Sequence, residues 1–287
     1  VIRVPAGEDH FGRIYALALS PDEKWLAVAA DNRPICDDIT CQHIRIYSAA
    51  TGELYRSWTG GHSGAVLSLT FSSDGTRLLS SSIDDTAVLW NFESGTPLKA
   101  FSGHGNSVYR AVFTTDGQRI VTGSEDRTLR LWNAQDGRVV AEMTGHKSGA
   151  FRVSVSPLGD IIASSDHDGE IRLWDKQSGA FIKSLVTMAN RIGSLTFDHT
   201  GRIVIAGTFN KGNEVEGPTA WRIDDGTKVS IYAPQKDAAV AVSRIPPGDR
   251  LVATGDKDGE IHIWNFETGK TEKILKGSGR QVWAVDV

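Results

Sequence analysis

Serine, histidine and aspartate side chains recur together in this chain, and these are the residue types of a hydrolase catalytic triad. A catalytic serine needs an exposed hydroxyl with oxyanion donors beside it, and an active site contains one such set. Here the set repeats along the chain and always includes a tryptophan, which predicts a structural role and no catalytic residues. The three complete sets are His62, Ser80, Asp84 and Trp90; His104, Thr122, Asp126 and Trp132; and His146, Ser164, Asp168 and Trp174.

The tryptophans mark a repeat that covers nearly the whole chain. Trp90, Trp132 and Trp174 follow one another at intervals of 42 residues, and Trp221 and Trp264 continue the series. Each repeat contains four short runs of alternating apolar and polar residues, separated by turns rich in Gly, Asp and Ser, which is typical of antiparallel strands. Such a unit cannot bury both of its faces alone, so several units must pack face to face around an axis.

These repeats resemble WD40 repeats in their length and in their Gly-His and Trp-Asp pairs. Gly61-His62, Gly103-His104 and Gly145-His146 each open a repeat, and Trp174-Asp175 is a literal Trp-Asp pair. The resemblance implies an all-β, WD40-type β-propeller of four-stranded antiparallel blades, with six recognisable repeats and a split partial seventh. It also implies that the Asp accepts from the His, the His bonds the Ser or Thr hydroxyl, and the hydroxyl bonds the indole N–H.

The predicted organisation is a single propeller domain over residues 1–287. Residues 1–5 are expected to form the outer strand of the last blade and residues 277–287 the inner strand of that incomplete seventh blade. The six whole blades are predicted at 10–58, 61–101, 103–143, 145–185, 188–232 and 236–275.

The polar set decays toward the ends of the chain. The sixth repeat keeps Thr254, Asp258 and Trp264 but has Lys236 at the His position. The fifth keeps Trp221 and has Met188 at the His position. The first repeat keeps His10 but has Tyr47 in place of Trp and Cys41 in place of Asp. Because their polar sets are incomplete, we expect blades 1 and 5 to be less rigid. These two blades also carry the insertions Asp31–Gln42 and Phe209–Thr219.

A candidate partner-binding site follows from the second residue of each predicted inner strand. This position is occupied by Tyr15, Leu67, Tyr109, Phe151, Gly193, Ala241 and Trp283, so four of the seven are aromatic. Arg110 directly follows Tyr109, and Arg152 directly follows Phe151. Arg191 lies close to Gly193 in the sequence. Aromatic residues and arginine are the usual anchors of protein interfaces. The alternative is that these large residues fill the top of a central channel. The predicted site residues are Tyr15, Tyr109, Arg110, Phe151, Arg152, Arg191 and Trp283.

Composition narrows the possible partners. The net charge of −4 gives no basis for nucleic-acid binding, and no apolar stretch approaches the roughly 20 residues that span a bilayer. Cys36 and Cys41 leave three alternatives, free thiols, a local disulfide or a metal site, but a metal site needs three or four ligands. We therefore expect no metal, no cofactor and a cytoplasmic location. Because the chain begins with Val1, it is expected to be a piece of a longer protein.

The predicted function is a non-catalytic scaffold that binds a protein, a peptide or another domain of the same polypeptide on the top face of the propeller. An alternative is a regulatory or sensor domain of a bacterial multidomain protein with a peptidase, kinase or NTPase domain. Residues Gly12–Asp22 resemble propellers attached to caspase-like peptidase domains. A small-molecule-binding or enzymatic propeller is a further alternative, but no convergence of carboxylates or histidines in the channel is evident. Fold alone does not identify the partner.

Overall fold

A computed structural model of the chain describes residues 14–30, 44–158, 160–209, 217–232, 241–245, 250–256 and 258–276. Within these ranges every regular element is a β-strand, and the strands form six separate four-stranded antiparallel sheets. The predicted all-β architecture of four-stranded blades is therefore confirmed. The same ranges contain no helix long and apolar enough to cross a membrane. The chain divides into two compact units, Val1–Asp126 with Leu131–Val139, and Arg127–Arg130 with Val140–Val287.

The first three blades use the strand order of the chain, so each strand pairs with the strand that follows it. Short turns between antiparallel strands match the Gly, Asp and Ser clusters of the sequence. The strands of these blades are β1 (Ile14–Leu19), β2 (Trp25–Ala30), β3 (Ile44–Ser48) and β4 (Leu54–Trp58); β5 (Val66–Phe71), β6 (Arg77–Ser82), β7 (Thr86–Asn91) and β8 (Pro97–Ser102); and β9 (Val108–Phe113), β10 (Arg119–Ser124), β11 (Leu129–Asn133) and β12 (Val139–Met143).

The next three blades repeat this meander. Their fourth strands are mostly exposed, whereas the strands before them are buried on at least one face. The strands are β13 (Ala150–Val155), β14 (Ile161–Asp166), β15 (Glu170–Asp175) and β16 (Phe181–Thr187); β17 (Arg191–Phe197), β18 (Ile203–Phe209), β19 (Thr219–Arg222) and β20 (Lys228–Ile231); and β21 (Ala241–Ile245), β22 (Leu251–Gly255), β23 (Glu260–Asn265) and β24 (Lys270–Lys276).

The core of each unit lies between successive blades. In the first unit β1 contacts β5 and β5 contacts β9, while in the second β13 contacts β17 and β17 contacts β21. The third strand of each later blade contributes a tryptophan to these layers. Trp90 stacks on Trp58 of the preceding blade with ring centroids 5.8 Å apart, and Trp264 stacks on Tyr232 at 4.8 Å. Within each unit, successive blades therefore bury apolar faces against one another, as the repeat requires.

The turn between the first and second strands is fixed by a hydroxyl and a carboxylate. In blade 2 the Ser72 hydroxyl donates to Asp74 Oδ1 at 2.6 Å, and the Thr76 backbone N–H donates to the same oxygen at 3.0 Å. Gly75 occupies the left-handed region at φ 70°, which favours glycine. These bonds from Ser72 and Thr76 hold the pKa of Asp74 down at about 2.

Several predictions concern residues outside the described ranges. Val1–Pro5 and Gln281–Val287, the two halves of the predicted seventh blade, lie outside them. So do the insertion Asp31–Gln42, with both cysteines, and residues 210–216 of the second insertion. The split seventh blade and the state of the cysteines stay predictions.

Candidate functional site

The polar set of the second blade forms one continuous hydrogen-bonded chain from an indole to a carboxylate. Trp90 Nε1 donates to Ser80 Oγ at 2.7 Å, and Ser80 Oγ lies 2.7 Å from His62 Nε2. His62 Nδ1 lies 3.0 Å from Asp84 Oδ2, which also accepts the Ser63 backbone N–H at 2.8 Å. Because an indole only donates and a carboxylate only accepts, Ser80 Oγ accepts the indole proton and His62 Nδ1 directs an N–H at Asp84.

The third blade repeats this chain with threonine in place of serine. Trp132 Nε1 donates to Thr122 Oγ1 at 2.8 Å, and Thr122 Oγ1 lies 2.7 Å from His104 Nε2. His104 Nδ1 lies 2.8 Å from Asp126 Oδ2, which accepts the Gly105 backbone N–H at 3.0 Å. Thr122 is fully buried, and its hydroxyl serves an indole and an imidazole at once. This geometry provides partners for a buried tryptophan and leaves no exposed nucleophile in the set.

Each member of the set comes from a different element of the blade. The histidine precedes the first strand, the hydroxyl residue is on the second strand, the aspartate is in the following turn, and the tryptophan is on the third strand. The position before the histidine favours glycine, because a neighbouring side chain occupies the space that a Cβ atom would take. An added Cβ at Gly61 would lie 2.1 Å from the Trp90 ring, and one at Gly145, where φ is 126°, would lie 2.2 Å from Arg172 Nη1.

The carboxylate of this network is strongly acidic. Burial alone would raise the pKa of Asp84, but the hydrogen bond and charge of His62 outweigh burial. The Thr86 hydroxyl and the Ser63 amide add to this effect, and the pKa of Asp84 falls to about 2. Asp84 is therefore ionised at neutral pH, and its bond to the imidazole is charge-assisted.

In the fourth blade the structure differs from the expectation, because Asp166 and not Asp168 pairs with the histidine. His146 Nε2 lies 2.7 Å from Ser164 Oγ, and Trp174 Nε1 donates to the same oxygen at 2.7 Å, as in the other blades. His146 Nδ1, however, lies 3.2 Å from Asp166 Oδ2. The predicted carboxylate, Asp168, is exposed. Its assignment to the set was wrong.

The physical reason lies at the end of the second strand. In blades 2 and 3 this position is a serine, Ser82 or Ser124, whose hydroxyl accepts the backbone N–H two residues later at 3.1 Å. Asp166 occupies the same position, and its Oδ1 accepts the N–H groups of Asp168 and Glu170, both at 3.0 Å. Its second oxygen is then directed to the histidine. Burial opposes ionisation of Asp166, but the His146 and Glu170 hydrogen bonds outweigh it and lower its pKa.

The sixth blade shows the same replacement. Asp256 Oδ1 accepts the backbone N–H groups of Asp258 at 3.0 Å and Glu260 at 2.8 Å, so Asp256 takes the role that Asp166 has in blade 4. The sequence-based choice of Asp258 for this blade stays a prediction, because the residue at the His position lies outside the described residues. Lys236, at the His position of this blade, lies outside the described residues. Trp264 Nε1 finds no hydrogen-bond acceptor among the described residues.

The second residue of the inner strand, singled out in the sequence, is a β-bulge. The register of the pairing with the second strand shifts at this position in blades 1 to 5, so that one residue of the inner strand has no opposite partner. A bulge changes the direction of the side chain it carries and often borders a functional site. The bulged residues are Tyr15, Leu67, Tyr109, Phe151 and Gly193.

Two arginines converge on one of these bulges. The guanidinium carbon of Arg191 lies 3.8 Å from the centroid of the Phe151 ring, and that of Arg152 lies 4.1 Å from it. The Arg152 Nε–H donates to the backbone carbonyl of Gly193, the bulged residue of the next blade. Both arginine side chains remain partly exposed, while the ring of Phe151 is buried to all but 8%. We call Phe151, Arg152 and Arg191 the arginine–phenylalanine cluster.

The other predicted partner-binding residues are Tyr15, Tyr109, Arg110 and Trp283. Tyr15 lies on β1, and Tyr109 and Arg110 are consecutive residues of β9. All three residues are partly exposed. Trp283 lies outside the described residues. The structure thus joins three of the seven predicted residues directly.

Sequence reasoning overlooked Asp166, Asp256, Tyr232 and His262. A signal was present for the first two, since Ser164–Trp174 and Thr254–Trp264 share the pattern Ser/Thr-x-Asp-x-Asp-Gly-Glu-Ile, which the second and third blades lack. No sequence signal linked Tyr232 to His262. They meet only because neighbouring blades pack together, with the Tyr232 hydroxyl 3.2 Å from His262 Nδ1.

Comparison with protein families gives a match to the family described as WD domain, G-beta repeat. The matched residues cover more than half of the chain and are 4–33, 52–91, 95–133, 137–175 and 226–265. The segment 52–91 begins before β4 and ends with β7, so the family's repeat starts one strand earlier than the structural blade. The match omits most of blade 5, in which Met188 stands at the His position.

One curated relative is similar over a short segment. Apoptotic protease-activating factor 1 of Rattus norvegicus is 42% identical to this chain over 55 residues. That segment is 19% of this chain and 4% of the relative's length.

Proposed function

The chain belongs to the WD40 repeat family, and we propose that it serves as a protein-interaction module without catalytic activity of its own. We further propose that its partner presents an acidic peptide segment to the arginine–phenylalanine cluster. The observation that carries this proposal is the convergence of two guanidinium groups on one bulged aromatic ring, within 4.1 Å of its centroid.

The chemistry of the cluster favours a carboxylate ligand. A guanidinium presents paired N–H donors that match the two oxygens of a carboxylate, and it keeps its charge in a desolvated site. Both guanidinium groups lie over the Phe151 ring, and the Gly193 carbonyl fixes Arg152 further. A site whose side chains are held before binding loses less conformational entropy when its ligand arrives.

The same order of residues on β9 supports a second contact point of the same kind. Tyr109 is a bulged aromatic residue followed by Arg110, as Phe151 is followed by Arg152. Two adjacent repeats share this exception to the small residues found at Ala16, Ser68 and Ser194. Packing of a channel would also use large side chains, so the decisive difference is whether binding changes when fold stability does not.

A selection from a peptide library tests the proposal. Random 12-residue peptides are displayed and selected on the intact chain, and the enriched peptides are synthesised for affinity measurements by fluorescence anisotropy. We expect the enriched peptides to be rich in Asp and Glu and to bind less tightly as salt increases. Truncating a hot spot costs about 2 kcal/mol, so Phe151→Ala and Arg191→Ala are each expected to weaken binding roughly thirty-fold.

Arg138→Ala is the matched control, because Arg138 lies in the turn between β11 and β12 and its side chain is 87% exposed. It should bind the peptides as the parent chain does. Peptides without acidic enrichment, or equal affinity for the parent chain and both cluster variants, would contradict the proposal. Unfolding of the cluster variants in circular dichroism would instead assign these residues to channel packing. The Tyr109→Ala and Arg110→Ala variants then examine the second contact point in the same assay.

A regulatory setting for this module is part of the proposal. The segment that resembles apoptotic protease-activating factor 1 supports a place in a regulatory protein, and the partner would then be another protein or a neighbouring domain of the same polypeptide. We propose a cytoplasmic location for that protein. If the partner is a neighbouring domain of the same polypeptide, the acidic peptides would displace it and make it more accessible to cleavage, so limited proteolysis with and without the peptides tests the regulatory proposal.

A further inference from the structure

The last described blade contains a cluster of two carboxylates and a histidine, Asp256, Glu260 and His262, that is separate from the arginine–phenylalanine cluster. Asp256 follows β22 directly, and Glu260 and His262 are two residues apart on β23. Residues two apart on a strand project from the same face, and the turn brings Asp256 to that face. One oxygen of each carboxylate and one imidazole nitrogen lie within 4.8 Å of one another.

The histidine of this cluster is buried, and one ring nitrogen is directed at the carboxylates. His262 Nε2 lies 3.2 Å from Asp256 Oδ2 and 3.4 Å from Glu260 Oε2. The His262 side chain is only 6% exposed, yet Nε2 makes no hydrogen bond of acceptable direction with any described residue. A buried polar atom without a hydrogen bond is costly, so its presence calls for a partner of another kind.

The remaining polar atoms around the cluster hold its three ligands in place. The Tyr232 hydroxyl lies 3.2 Å from His262 Nδ1 and 2.8 Å from Thr271 Oγ1. Asp256 uses Oδ1 for the backbone of its own turn, which leaves Oδ2 directed at the histidine. Metal-binding histidines typically use their other ring nitrogen in this way, and metal-binding carboxylates are likewise held by a second hydrogen bond.

The spacing suits a small divalent ion. Zinc binds carboxylate oxygen and imidazole nitrogen at about 2.0–2.2 Å with tetrahedral angles, which places neighbouring ligand atoms about 3.4 Å apart. The separations of 3.2 and 3.4 Å agree with that value. Three protein ligands would leave a fourth position for water, and the Glu260 side chain, 33% exposed, borders solvent.

The fourth blade shows what the same framework looks like when a side chain provides the positive charge. Glu170 corresponds to Glu260, and Arg172 corresponds to His262. Arg172 Nε lies 2.9 Å from Glu170 Oε2, and the Ser184 hydroxyl also donates to Glu170. His146 Nε2 is already bonded to Ser164. Blade 4 therefore neutralises its carboxylate with arginine, whereas blade 6 has a histidine at that position.

We propose that Asp256, Glu260 and His262 bind one divalent transition-metal ion of the zinc class. The ion takes the place of the arginine charge of blade 4. It binds His262 through Nε2 and each carboxylate through one oxygen, and Tyr232 positions the imidazole.

Isothermal titration calorimetry of the metal-free full chain with zinc chloride tests the site. His262→Arg recreates the arrangement of blade 4, and we expect it to bind one zinc ion fewer than the parent chain. Glu260→Gln removes one ligand at a partly exposed position and should lower the affinity of the site for zinc tenfold or more. Tyr232→Phe should lower the zinc affinity about tenfold, which is typical when a hydrogen bond that positions a metal ligand is lost.

Glu170→Gln in blade 4 is the matched control and should bind zinc as the parent chain does. Cobalt added in place of zinc gives a second readout, because its visible absorption reports tetrahedral nitrogen and oxygen ligands and should disappear in His262→Arg. Equal stoichiometry and affinity in the parent chain, His262→Arg and Glu260→Gln would overturn the proposal and leave an ion pair between the histidine and the carboxylates. If His262→Arg does not fold, Glu260→Gln decides alone.

Discussion

Thr122→Val isolates the contribution of the polar network to the stability of the third blade. Valine has nearly the shape of threonine, so the substitution removes the hydroxyl and little packing volume. Thr122 is fully buried, and its hydroxyl accepts the Trp132 indole N–H at 2.8 Å while lying 2.7 Å from His104 Nε2. Both partners are also buried, so water cannot replace the lost group.

The size of the effect follows from counting the groups left without a partner. The variant leaves one indole N–H and one imidazole nitrogen unsatisfied, and each buried unsatisfied group costs about 1–3 kcal/mol. We therefore expect Thr122→Val to lower the free energy of unfolding by about 2–6 kcal/mol. The His104–Asp126 pair remains at 2.8 Å and keeps the histidine in place, which argues for the lower half of that range.

Urea denaturation followed by tryptophan fluorescence and by circular dichroism measures this change. Thr96→Val is the matched control, since Thr96 is exposed and its hydroxyl contacts only the neighbouring Ser94 hydroxyl. That variant should remain within about 0.5 kcal/mol of the parent chain, as surface substitutions usually do. Equal midpoints and slopes for the two variants would refute the view that Thr122 joins two buried partners.

Three further predictions follow from the same geometry. Asp166→Ala should destabilise the chain by about 2 kcal/mol or more in urea denaturation, because it leaves the buried imidazole of His146 unpaired. Asp168→Ala should destabilise it by less than about 0.5 kcal/mol, because Asp168 is exposed. The reverse order of the two effects would restore the sequence-based assignment of Asp168. The pKa of Asp84 is about 2 in the folded chain and 3.8 in its ordinary state, so its ionised form stabilises the fold by about 2 kcal/mol above pH 4. That contribution is lost as pH falls toward 2, with about 1 kcal/mol gone by pH 3, and Asp84→Asn should show correspondingly less acid sensitivity between pH 6 and pH 3. Gly61→Ala should cost about 1–3 kcal/mol, because the added methyl group collides with the Trp90 ring. Gly105→Ala, whose nearest contact is at 4.0 Å, should be nearly neutral. Thermal melting followed by circular dichroism measures both variants, and equal melting temperatures would contradict the prediction.

The sequence determined the blade architecture because its evidence is local and repeated. Alternating apolar residues define each strand, Gly, Asp and Ser define each turn, and Trp90, Trp132 and Trp174 return at a constant interval. The hydroxyl and histidine partners of each tryptophan were also predictable, because they stand at fixed offsets from it. Three contacts of this kind, at Ser80, Thr122 and Ser164, agree with those offsets.

The choice between two aspartates two residues apart was decided only by tertiary structure. Asp166 and Asp168 both fall within reach of His146 when only chain distance is considered. The backbone of the turn needs an acceptor at the end of the second strand, and Asp166 fills that position as well as facing the histidine. Competition for a carboxylate by backbone amides depends on turn geometry, which spacing in the sequence does not specify.

The sequence grouped Phe151 with Arg191 in one candidate site, but it did not specify which side chains of different blades touch. Phe151 and Arg191 are separated by a whole repeat, as are Tyr232 and His262 to a lesser degree, and each pair meets because one sheet packs on the next. The bulges that redirect Tyr109 and Phe151 arise from the register of strand pairing. Periodicity along the chain fixes which residues share a strand face, but only the packing of whole sheets determines which side chains of different repeats touch.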